Sequence, residues 1–336
     1  MRAGFTIGAR VLDRVLLTGA GGFIGRAMQE ALLGRGHPVR AVVRHGSAVG
    51  ANEYIDVPKR ARSELLRLDI APTTSWAEAL LDCRSVVHLA ALAHVPLGRM
   101  DDALAACRAI NTVATLNLAR QAASVGVRRF VFASTIKVNG ESTRPGRPFT
   151  ISAAPAPQEA YAISKMEAEI GLRKIADETG MEVVIVRPPL VYGPGVKGNF
   201  AELMRWVARG IPLPLAGIEN RRSLVALDNL VDLLLRCVEH PGAANQTFLV
   251  SDGEDLSTTD LLRRLAAAMG RPSRLFPLPQ SWLRGAAALI GRGDAVARLC
   301  DSLQVDMTAT REALGWSPPI GVDEGLRRAA RENGGA

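Results

Sequence analysis

The sequence predicts an α/β fold in which a doubly wound parallel sheet is followed by a smaller, mostly helical lobe. Three observations predict it: short β-branched runs alternate with helical stretches, these runs are almost entirely apolar, and prolines cluster after Arg187. Such alternation is typical of a parallel sheet with helices on both faces, which buries its strands on both sides. At 336 residues the chain is long enough for two units of this kind.

The predicted elements follow one another in a regular order. Five runs have the length and composition of buried strands, at 15–18, 39–43, 85–89, 130–133 and 183–186. Apolar residues recur with helical spacing between them, at 23–35, 75–81, 101–125 and 159–179. After the prolines, helices are predicted at 200–209, 228–240, 258–269 and 282–289. The predicted division is an N-terminal extension at 1–13, a cofactor-binding domain at 14–187 and a substrate lobe at 188–331.

Composition narrows the class of protein. Hydrophobic residues make up 48% of the chain and charged residues 22%, which excludes a disordered tail protein and a collagen-like repeat. Aromatic residues, at 4%, are too few for a long base-stacking surface. The net charge of +8 comes from arginines spread without a block, so we expect a solvated basic surface and no nucleic-acid partner. Attraction to anionic substrates or to an anionic membrane surface is the weaker alternative.

The cysteines are far apart in the sequence and form no Cys-x-x-Cys pair: Cys83, Cys107, Cys237 and Cys300. This spacing indicates neither a metal site nor a disulfide framework, and it predicts a reduced, cytoplasmic location. No apolar run reaches the roughly 18 residues of a membrane span, so no transmembrane segment is predicted.

A glycine turn follows the first predicted strand. Gly19, Gly22 and Gly25 have the spacing G-x-x-G-x-x-G and lead into an amphipathic helix. In a Rossmann-like unit such glycines let the backbone approach a pyrophosphate, and the helix N-terminus faces its charge. Because the turn lies between a strand and a helix, it predicts a dinucleotide-binding site.

The end of the second strand bears on the choice of cofactor. An acidic residue about 20 positions after the glycines would bind the ribose 2′-hydroxyl of NAD. The sequence has Arg44 there instead, and a guanidinium suits a 2′-phosphate. NADP(H) is therefore favoured. The alternative is that Arg44 only covers the adenine and that NAD(H) binds.

Tyr161 and Lys165 lie four residues apart on a predicted helix and therefore share one face. A free tyrosine has a pKa near ~10, and a neighbouring ammonium group favours its phenolate form. Ser134 and Thr135 stand at the end of a predicted parallel strand. Together with the glycine turn, these groups predict a site for proton transfer beside a dinucleotide.

With these motifs the sequence resembles the extended short-chain dehydrogenase/reductase family, in its nucleotide-sugar branch, over nearly the whole chain. The matching segments are the glycine turn, Asp69-Ile70, His88-Leu89-Ala90-Ala91, Asn111, Phe132-Ala133-Ser134-Thr135, Tyr161 with Lys165, and residues 187–195. The resemblance implies an NAD(P)-dependent enzyme that acts at C4 of a UDP-linked hexose or N-acetylhexosamine.

The resemblance also implies roles for individual residues. The implied catalytic residues are Thr135, Tyr161 and Lys165. The implied cofactor-binding residues are Gly19, Gly22, Phe23, Ile24, Gly25, Arg44, Asp69, Ile70, Leu89, Ala90, Ala91, Lys165 and Pro188. The implied substrate-binding residues are Ser134, Asn199, Phe200, Leu215 and Arg222. Among these, Asn199 and Arg222 match positions that contact the nucleotide diphosphate.

Three reactions share the scaffold of this family. Dehydratases carry an Asp-Glu pair directly after the catalytic threonine, whereas this chain has Ile136 and Lys137, which excludes dehydration. Arg44 favours a reductase that consumes NADPH, so we expect a C4 reductase of a UDP-4-keto-6-deoxy sugar for surface-polysaccharide precursors. The alternative is a UDP-glucose or UDP-N-acetylglucosamine 4-epimerase with tightly bound NAD.

Two alternative functions, a regulator and a different reductase, would account for fewer of these candidate residues. A non-catalytic NADP-binding regulator would not need Thr135, Tyr161 and Lys165 together. A reductase of non-nucleotide carbonyl compounds would not need Asn199 and Arg222.

His88 is expected to be structural, whereas Lys137 either contacts the substrate or is solvated. In relatives the two long helices form a dimer interface, so a homodimer is expected.

Overall fold

The computed structural model describes residues 13–46, 63–93, 100–144, 146–289 and 293–333. Its strands in chain order are β1 Arg14–Thr18, β2 Val39–Val43, β3 Ser63–Arg67, β4 Cys83–His88, β5 Arg129–Ala133, β6 Glu182–Arg187, β7 Leu190–Tyr192, β8 Arg222–Ala226, β9 Thr247–Leu249 and β10 Asp255–Leu256. Seven of them form one sheet in the order β3-β2-β1-β4-β5-β6-β9, and every pair is parallel. The strand order reverses between β1 and β4, where sheets of this type bind ligands.

Helices cover both faces of this sheet and build the second lobe. They are α1 Phe23–Gly34, α2 Ala77–Leu80, α3 Met100–Cys107, α4 Thr115–Ser124, α5 Ala160–Thr179, α6 Asn199–Ala208, α7 Leu227–Glu239, α8 Thr258–Ala268, α9 Gln280–Leu289, α10 Gly293–Cys300, α11 Thr308–Leu314 and α12 Val322–Asn333. A π-helical segment, Arg108–Ala114, joins α3 and α4 into one long helix. The predicted fold class is confirmed.

Alternating side chains of the strands fill two cores. Leu17 of β1 packs with α1 and α7, whereas its neighbour Leu16 packs with α4 and α5 on the other face. Side chains of successive strand residues point to opposite faces, so a sheet covered on both faces buries an unbroken apolar run. This arrangement explains why β1, β2, β4, β5 and β6 could be predicted from apolar runs.

The chain returns to the sheet after the predicted boundary at Arg187. The short strand β9 pairs with β6 at the sheet edge, and α7 packs against α1. Parallel strands need a crossover connection, and α7 lies in the connection between β6 and β9. The second lobe also has its own sheet, β10-β8-β7, and a separate core. The predicted division into two domains at 187/188 therefore stays a prediction. Residues 1–12, in the predicted N-terminal extension, lie outside the described residues.

None of the described helices is both long enough and apolar enough to cross a membrane.

Candidate functional site

The glycine turn is closely packed against the loop after β4. Gly19 has φ +73°, and a Cβ built there would lie 2.8 Å from the backbone nitrogen of Ala90. A Cβ on Gly25 would lie 2.0 Å from the carbonyl oxygen of Gly19. Because side chains cannot fit at these positions, the backbone at the start of α1 stays open to a phosphate group. The turn fits a dinucleotide. The predicted residue Gly22 is the N-cap of α1, and Phe23 and Ile24 are the first two residues of that helix.

The predicted channel residues Leu89, Ala90 and Ala91 follow β4 directly beside this turn. The backbone nitrogens of Leu89 and Ala90 lie 3.3 and 3.4 Å from the carbonyl and hydroxyl oxygens of Thr18. His88 is fully buried, and its ring nitrogens hydrogen-bond the hydroxyls of Thr18 and Thr115 at 2.7 and 2.9 Å. Burial lowers the pKa of His88 to about 3, with the nearby Lys165 charge acting in the same direction. His88 is therefore a neutral structural group, as the sequence predicts.

Asn111 connects the same loop to the helix that carries the tyrosine. Its side-chain oxygen accepts from the Leu92 backbone N–H at 2.8 Å. Its amide nitrogen donates to Leu92 and to the Ser164 hydroxyl at 3.1 and 3.0 Å. Asn111 is fully buried within the π-helical segment. It therefore fixes the cofactor-side loop relative to α5.

The predicted adenine end of the site lies at the carboxyl ends of β2 and β3. The side chain of Arg44 is exposed there. The Asp69 carboxylate accepts a hydrogen bond from the His45 backbone N–H at 3.0 Å and contacts the His45 ring at 3.2 Å. Ile70 is half-buried against the core beneath α4. The Arg44 guanidinium is exposed, and the Asp69 carboxylate is already bound to His45. Neither observation distinguishes NADP(H) from NAD(H), so the preference for NADP(H) stays a prediction.

Tyr161 and Lys165 lie in the first two turns of α5. The Lys165 ammonium donates to the Ala133 carbonyl at 2.7 Å and lies 4.2 Å from the centre of the Phe132 ring and 6.0 Å from that of Tyr161. Burial lowers the pKa of Lys165 to about 7, although the charge of Glu169 raises it. Burial, with a smaller contribution from Cys107, raises the pKa of Tyr161 to about 12. In this state Tyr161 is protonated and suited to donate a proton.

Thr135 lies directly opposite the end of β6. The residues on both sides of it donate backbone hydrogen bonds to that strand end, Ser134 to Val186 at 2.7 Å and Ile136 to Pro188 at 2.9 Å. The Thr135 hydroxyl oxygen accepts from the Lys137 backbone N–H at 3.3 Å. A hydroxyl that accepts one hydrogen bond still has a proton to donate. Pro188 is thus a backbone support for this segment.

The Ser134 side chain is buried and bound to α5. It is 4% exposed, and its hydroxyl donates to Oε1 of Glu169 at 2.5 Å. Glu169 also accepts two hydrogen bonds from Arg187, at 2.9 and 2.5 Å. A third hydrogen bond from Arg187 goes to the buried Asn139 side chain. The Ser134 hydroxyl proton is therefore bound inside the protein, and a substrate contact of this residue stays a prediction.

A cluster of charged side chains lies beside Thr135. Lys137 pairs with Glu141 at 3.2 Å and with Glu159 at 2.6 Å, and Arg298 of α10 reaches Glu159 at 2.9 Å. Partial burial opposes ionisation of Glu159, but Lys137 and Arg298 outweigh it and hold its pKa below the usual value. Lys137 is thus an ion-paired residue, and Arg298 links the second lobe to the start of α5.

The predicted substrate residues of the second lobe occupy different environments. Asn199 is exposed at the first turn of α6. Phe200 is 1% exposed and stacks on Tyr192 with ring centres 5.3 Å apart, so its ring belongs to the core. Leu215 is also buried, and its carbonyl accepts from Thr259. Substrate contacts of Phe200 and Leu215 are therefore not supported by their side chains, and they stay predictions.

Arg222, the predicted diphosphate-binding residue, lies at the start of β8. Its Nη1 donates to the Asp301 carbonyl at 2.8 Å, which leaves further N–H donors on the guanidinium. Burial lowers the pKa of Arg222, while the charges of Asp301 and Glu141 raise it. A half-buried guanidinium with free donors suits an anionic ligand.

Sequence reasoning missed residues that the structure brings to the site: Glu169, Glu159, Arg298 and the role of Arg187. The signal for Glu169 was present, because positions 161, 165 and 169 share one helical face. No local signal exists for Arg298, since it lies 139 residues after Glu159. Among the described residues, no cluster of acidic, histidine and cysteine side chains could hold a metal ion.

The arrangement can move a proton at an oxygen beside a dinucleotide. The Lys165 ammonium lies 6.0 Å from the centre of the Tyr161 ring and is bound to the carbonyl of Ala133, two residues before Thr135, at the carboxyl end of β5. This combination suits the interconversion of an alcohol and a ketone.

Comparison with known proteins agrees with this chemistry. The sequence pattern of the NAD dependent epimerase/dehydratase family matches residues 15–251. A Vibrio cholerae protein named UDP-glucose 4-epimerase is 44% identical over 319 residues, which cover 94% of each chain. A Stenotrophomonas maltophilia protein named 2-alkyl-3-oxoalkanoate reductase is 27% identical over 340 residues, 94% of this chain and 98% of the other. The solved Thermus thermophilus UDP-glucose 4-epimerase with NAD is 26% identical, with a TM-score of 0.73 over 96% of this chain and 99% of that one.

Proposed function

This chain belongs to the NAD dependent epimerase/dehydratase family, and we propose that it is an NADPH-dependent C4 reductase of a UDP-4-keto-6-deoxy sugar. The observation that carries the proposal is the Lys165 ammonium, which is bound to the carbonyl of Ala133 two residues before Thr135 and lies one helical turn from Tyr161, without an acid pair after the threonine. Ile136 and Lys137 cannot supply the acid and base that dehydration needs. Arg44 supports the reductase over the epimerase, because its charge suits the 2′-phosphate of NADPH.

Each group of this chain has a defined part in the proposed reaction. Bound NADPH would supply the hydride for C4 of the sugar. The Thr135 hydroxyl donates a hydrogen bond to the C4 oxygen, where negative charge develops. Tyr161 donates its proton to that oxygen, and its raised pKa keeps it protonated before the reaction. The Lys165 ammonium stabilises the phenolate that remains.

The UDP part of the substrate is assigned to the second lobe. We expect Arg222 to bind the diphosphate with its remaining donors, and Asn199 to contact the same group from the start of α6. UDP should therefore raise the melting temperature of the protein. The Arg222→Met variant should lose this protection, whereas Arg271→Met on the exposed surface should keep it. No protection by UDP in the presence of saturating NADPH would argue for a reductase of non-nucleotide carbonyl compounds.

A UDP-sugar 4-epimerase with tightly bound NAD is the second candidate. The Vibrio cholerae relative at 44% identity has that reaction in its name, and the matched Thermus thermophilus structure is a complex with NAD. The same proton donor serves both reactions, so the difference lies in whether the cofactor stays bound and returns its hydride. A non-catalytic NADP-binding regulator is disfavoured because it needs none of the three catalytic groups.

Analysis of the cofactor released by denaturing freshly purified protein separates these candidates. The reductase proposal expects little bound cofactor, tighter binding of NADPH than of NADH, and oxidation of NADPH with a UDP-4-keto-6-deoxy sugar. Stoichiometric NAD with interconversion of UDP-hexoses would establish the epimerase instead. A UDP-hexose that is epimerised only after NAD is added would also exclude the reductase.

We also propose a homodimer formed through the long helices α3–α4 and α5. Val113 and Ile170 are 48% and 61% exposed on this helix pair, and Arg108 pairs with Glu167 beside them. Exposed apolar side chains on adjacent long helices suit a helix-bundle interface. Sedimentation at micromolar concentration should give a dimer, and Ile170→Glu should give a monomer. A wild-type monomer would contradict the proposal. A cytoplasmic location also stays a prediction.

A further inference from the structure

A buried ion pair lies one helical turn behind the catalytic lysine. Glu169 is 3% exposed, and two of its hydrogen bonds come from Arg187, whose side chain is 6% exposed. Removing two charges from water is costly, and a buried pair is weak evidence of a gain in stability. An ion pair at this position therefore needs another explanation.

The pair joins the two segments that carry the reacting groups, the end of β5 and α5, to the turn after Thr135 and to the end of β6. Glu169 accepts from Ser134, which directly precedes Thr135 at the end of β5. Arg187 donates to Asn139, which ends the short turn that starts after Thr135. Arg187 itself lies between Val186 and Pro188, the two acceptors of the Thr135 segment. These hydrogen bonds of the pair thus join α5, which carries Lys165, to Ser134 before Thr135 and to Asn139 at the end of the turn after it.

We propose that Glu169 and Arg187 form a positioning pair, which fixes the Thr135 hydroxyl and the Lys165 ammonium relative to each other and places a negative charge one helical turn from that ammonium. Neither residue touches the substrate in this scheme. The catalytic part of the proposal rests on the proposed function, while the electrostatic part does not.

The charges around Lys165 explain the electrostatic part. Its own helix contributes Tyr161 and Glu169, β4 contributes the neutral His88, and β6 contributes Arg187. The Lys137 ion-pair cluster lies beyond Thr135. Glu169 is the one carboxylate that raises the pKa of Lys165 against burial. Without it, burial would favour the neutral amine unopposed.

Nuclear magnetic resonance of protein labelled at the lysine ε-carbons tests this directly. The chain has five lysines, so the Lys165 signal can be assigned with a Lys165→Arg variant: Lys59, Lys137, Lys165, Lys174 and Lys197. The Lys165 signal should titrate at about pH 7 in the wild type. Glu169→Gln should lower this midpoint by about one pH unit or more, whereas Glu169→Asp should keep it within ~0.5 unit because the charge remains.

A second ion pair on the same strands provides the matched control. Glu182 pairs with the buried Arg129 at the opposite ends of β5 and β6. Glu182→Gln breaks a comparable pair and should leave the Lys165 midpoint at its wild-type value. An unchanged midpoint in Glu169→Gln, or an equal shift in Glu182→Gln, would overturn the proposal. The titration uses no substrate, so its result stands even if the proposed reductase reaction is wrong.

Activity gives the readout for positioning. Once a sugar substrate is found, Glu169→Asp should lower kcat by about tenfold to a hundredfold, because a small misplacement of reacting groups is enough for such a loss. Its KM for the UDP-sugar and the pH dependence of kcat should stay close to wild type. A loss confined to KM would overturn the positioning role while leaving the reductase assignment intact.

Glu169→Gln alone leaves an unpaired buried guanidinium and could fail to fold. The double variant Glu169→Gln/Arg187→Met removes both charges and should fold. Its Lys165 midpoint should again lie below the wild-type value, since Glu169 is the charge of this pair that acts on Lys165. A wild-type midpoint in the double variant would overturn the proposal.

Discussion

The two ends of β5 and β6 each have a buried arginine paired with a glutamate, yet the two pairs have different surroundings. At the amino ends, Arg129 binds Glu182 and also donates to three carbonyls at the end of α7, those of Cys237, Val238 and His240. At the carboxyl ends, Glu169 binds Ser134 beside Thr135, and Arg187 binds Glu169 and Asn139. The same chemistry therefore caps a helix at one end of the sheet and joins the segments around Thr135 to α5 at the other.

This difference follows from the geometry of a parallel sheet. The carboxyl ends of all its strands face one side, where loops and helix N-termini meet and ligands bind. Helix C-termini return to the opposite side, where unpaired carbonyls need donors. Arg40 repeats the capping arrangement on β2, with three hydrogen bonds from one guanidinium nitrogen to the carbonyls that end α2. We expect substitutions at the amino ends to change stability and those at the carboxyl ends to change function.

The largest effect should come from Tyr161→Phe at the carboxyl side. Loss of the phenolic proton should lower turnover about a thousandfold, within the range for general acid catalysis, while the retained ring preserves folding. Steady-state kinetics and thermal unfolding check both parts. Tyr192→Phe is the control, because the Tyr192 hydroxyl donates to the buried Asp252 in the second lobe. It should lower stability and keep turnover. Turnover of Tyr161→Phe within tenfold of wild type would contradict the assigned role.

At the amino side, Arg129→Met should lower the free energy of unfolding by about 3–5 kcal/mol, the cost of breaking a buried pair. Glu182 would lose its partner, and three carbonyls of α7 would lose a donor. Denaturant unfolding measures this change. Arg128→Met is the control: its guanidinium is 3.4 Å from the same glutamate but is 71% exposed, so the loss should stay under about 1 kcal/mol. Equal losses in both variants would contradict the capping role.

His88 is an exception to this comparison, because it lies at the carboxyl end of β4 and yet has a structural role. Its pKa is about 3 in the folded protein, against 6.5 when free, so between these values only the unfolded chain takes up the proton. Stability should therefore fall as the pH decreases through this window, by about 1.4 kcal/mol per pH unit from this residue. His88→Gln should remove that slope in unfolding measured from pH 7 to 5. His45→Gln, at an exposed site, should keep it, and identical slopes in all three proteins would refute the assignment.

The smallest effect is expected at the carboxyl end of β2. Arg44→Ser should weaken binding of NADPH by about tenfold, or ~1.4 kcal/mol, because an exposed charge contributes modestly. Binding of NADH should not change, which makes it the internal control. Fluorescence titration with both cofactors measures the ratio. Parallel weakening of both would mean that Arg44 only covers the adenine.

Most of the sheet could be predicted from the sequence because its strands are buried on both sides. The long helices α5 and α7 were predicted to within one residue of their observed ends. The strands β9 and β10 were missed because two or three residues are too short for any period to appear. The edge strand β3 lacked an apolar run because it is only partly buried.

The sequence by itself determined the glycine turn, the Tyr161–Lys165 helical face and the Thr135 strand end, because each depends on local spacing. Only the tertiary structure decided where side chains with distant partners point. It turned the Ser134 hydroxyl toward Glu169, placed the Phe200 ring in the core and brought Arg298 to Glu159. The physical reason is that hydrogen bonds and ion pairs of buried charges depend on which elements meet, and local periodicity does not contain that information.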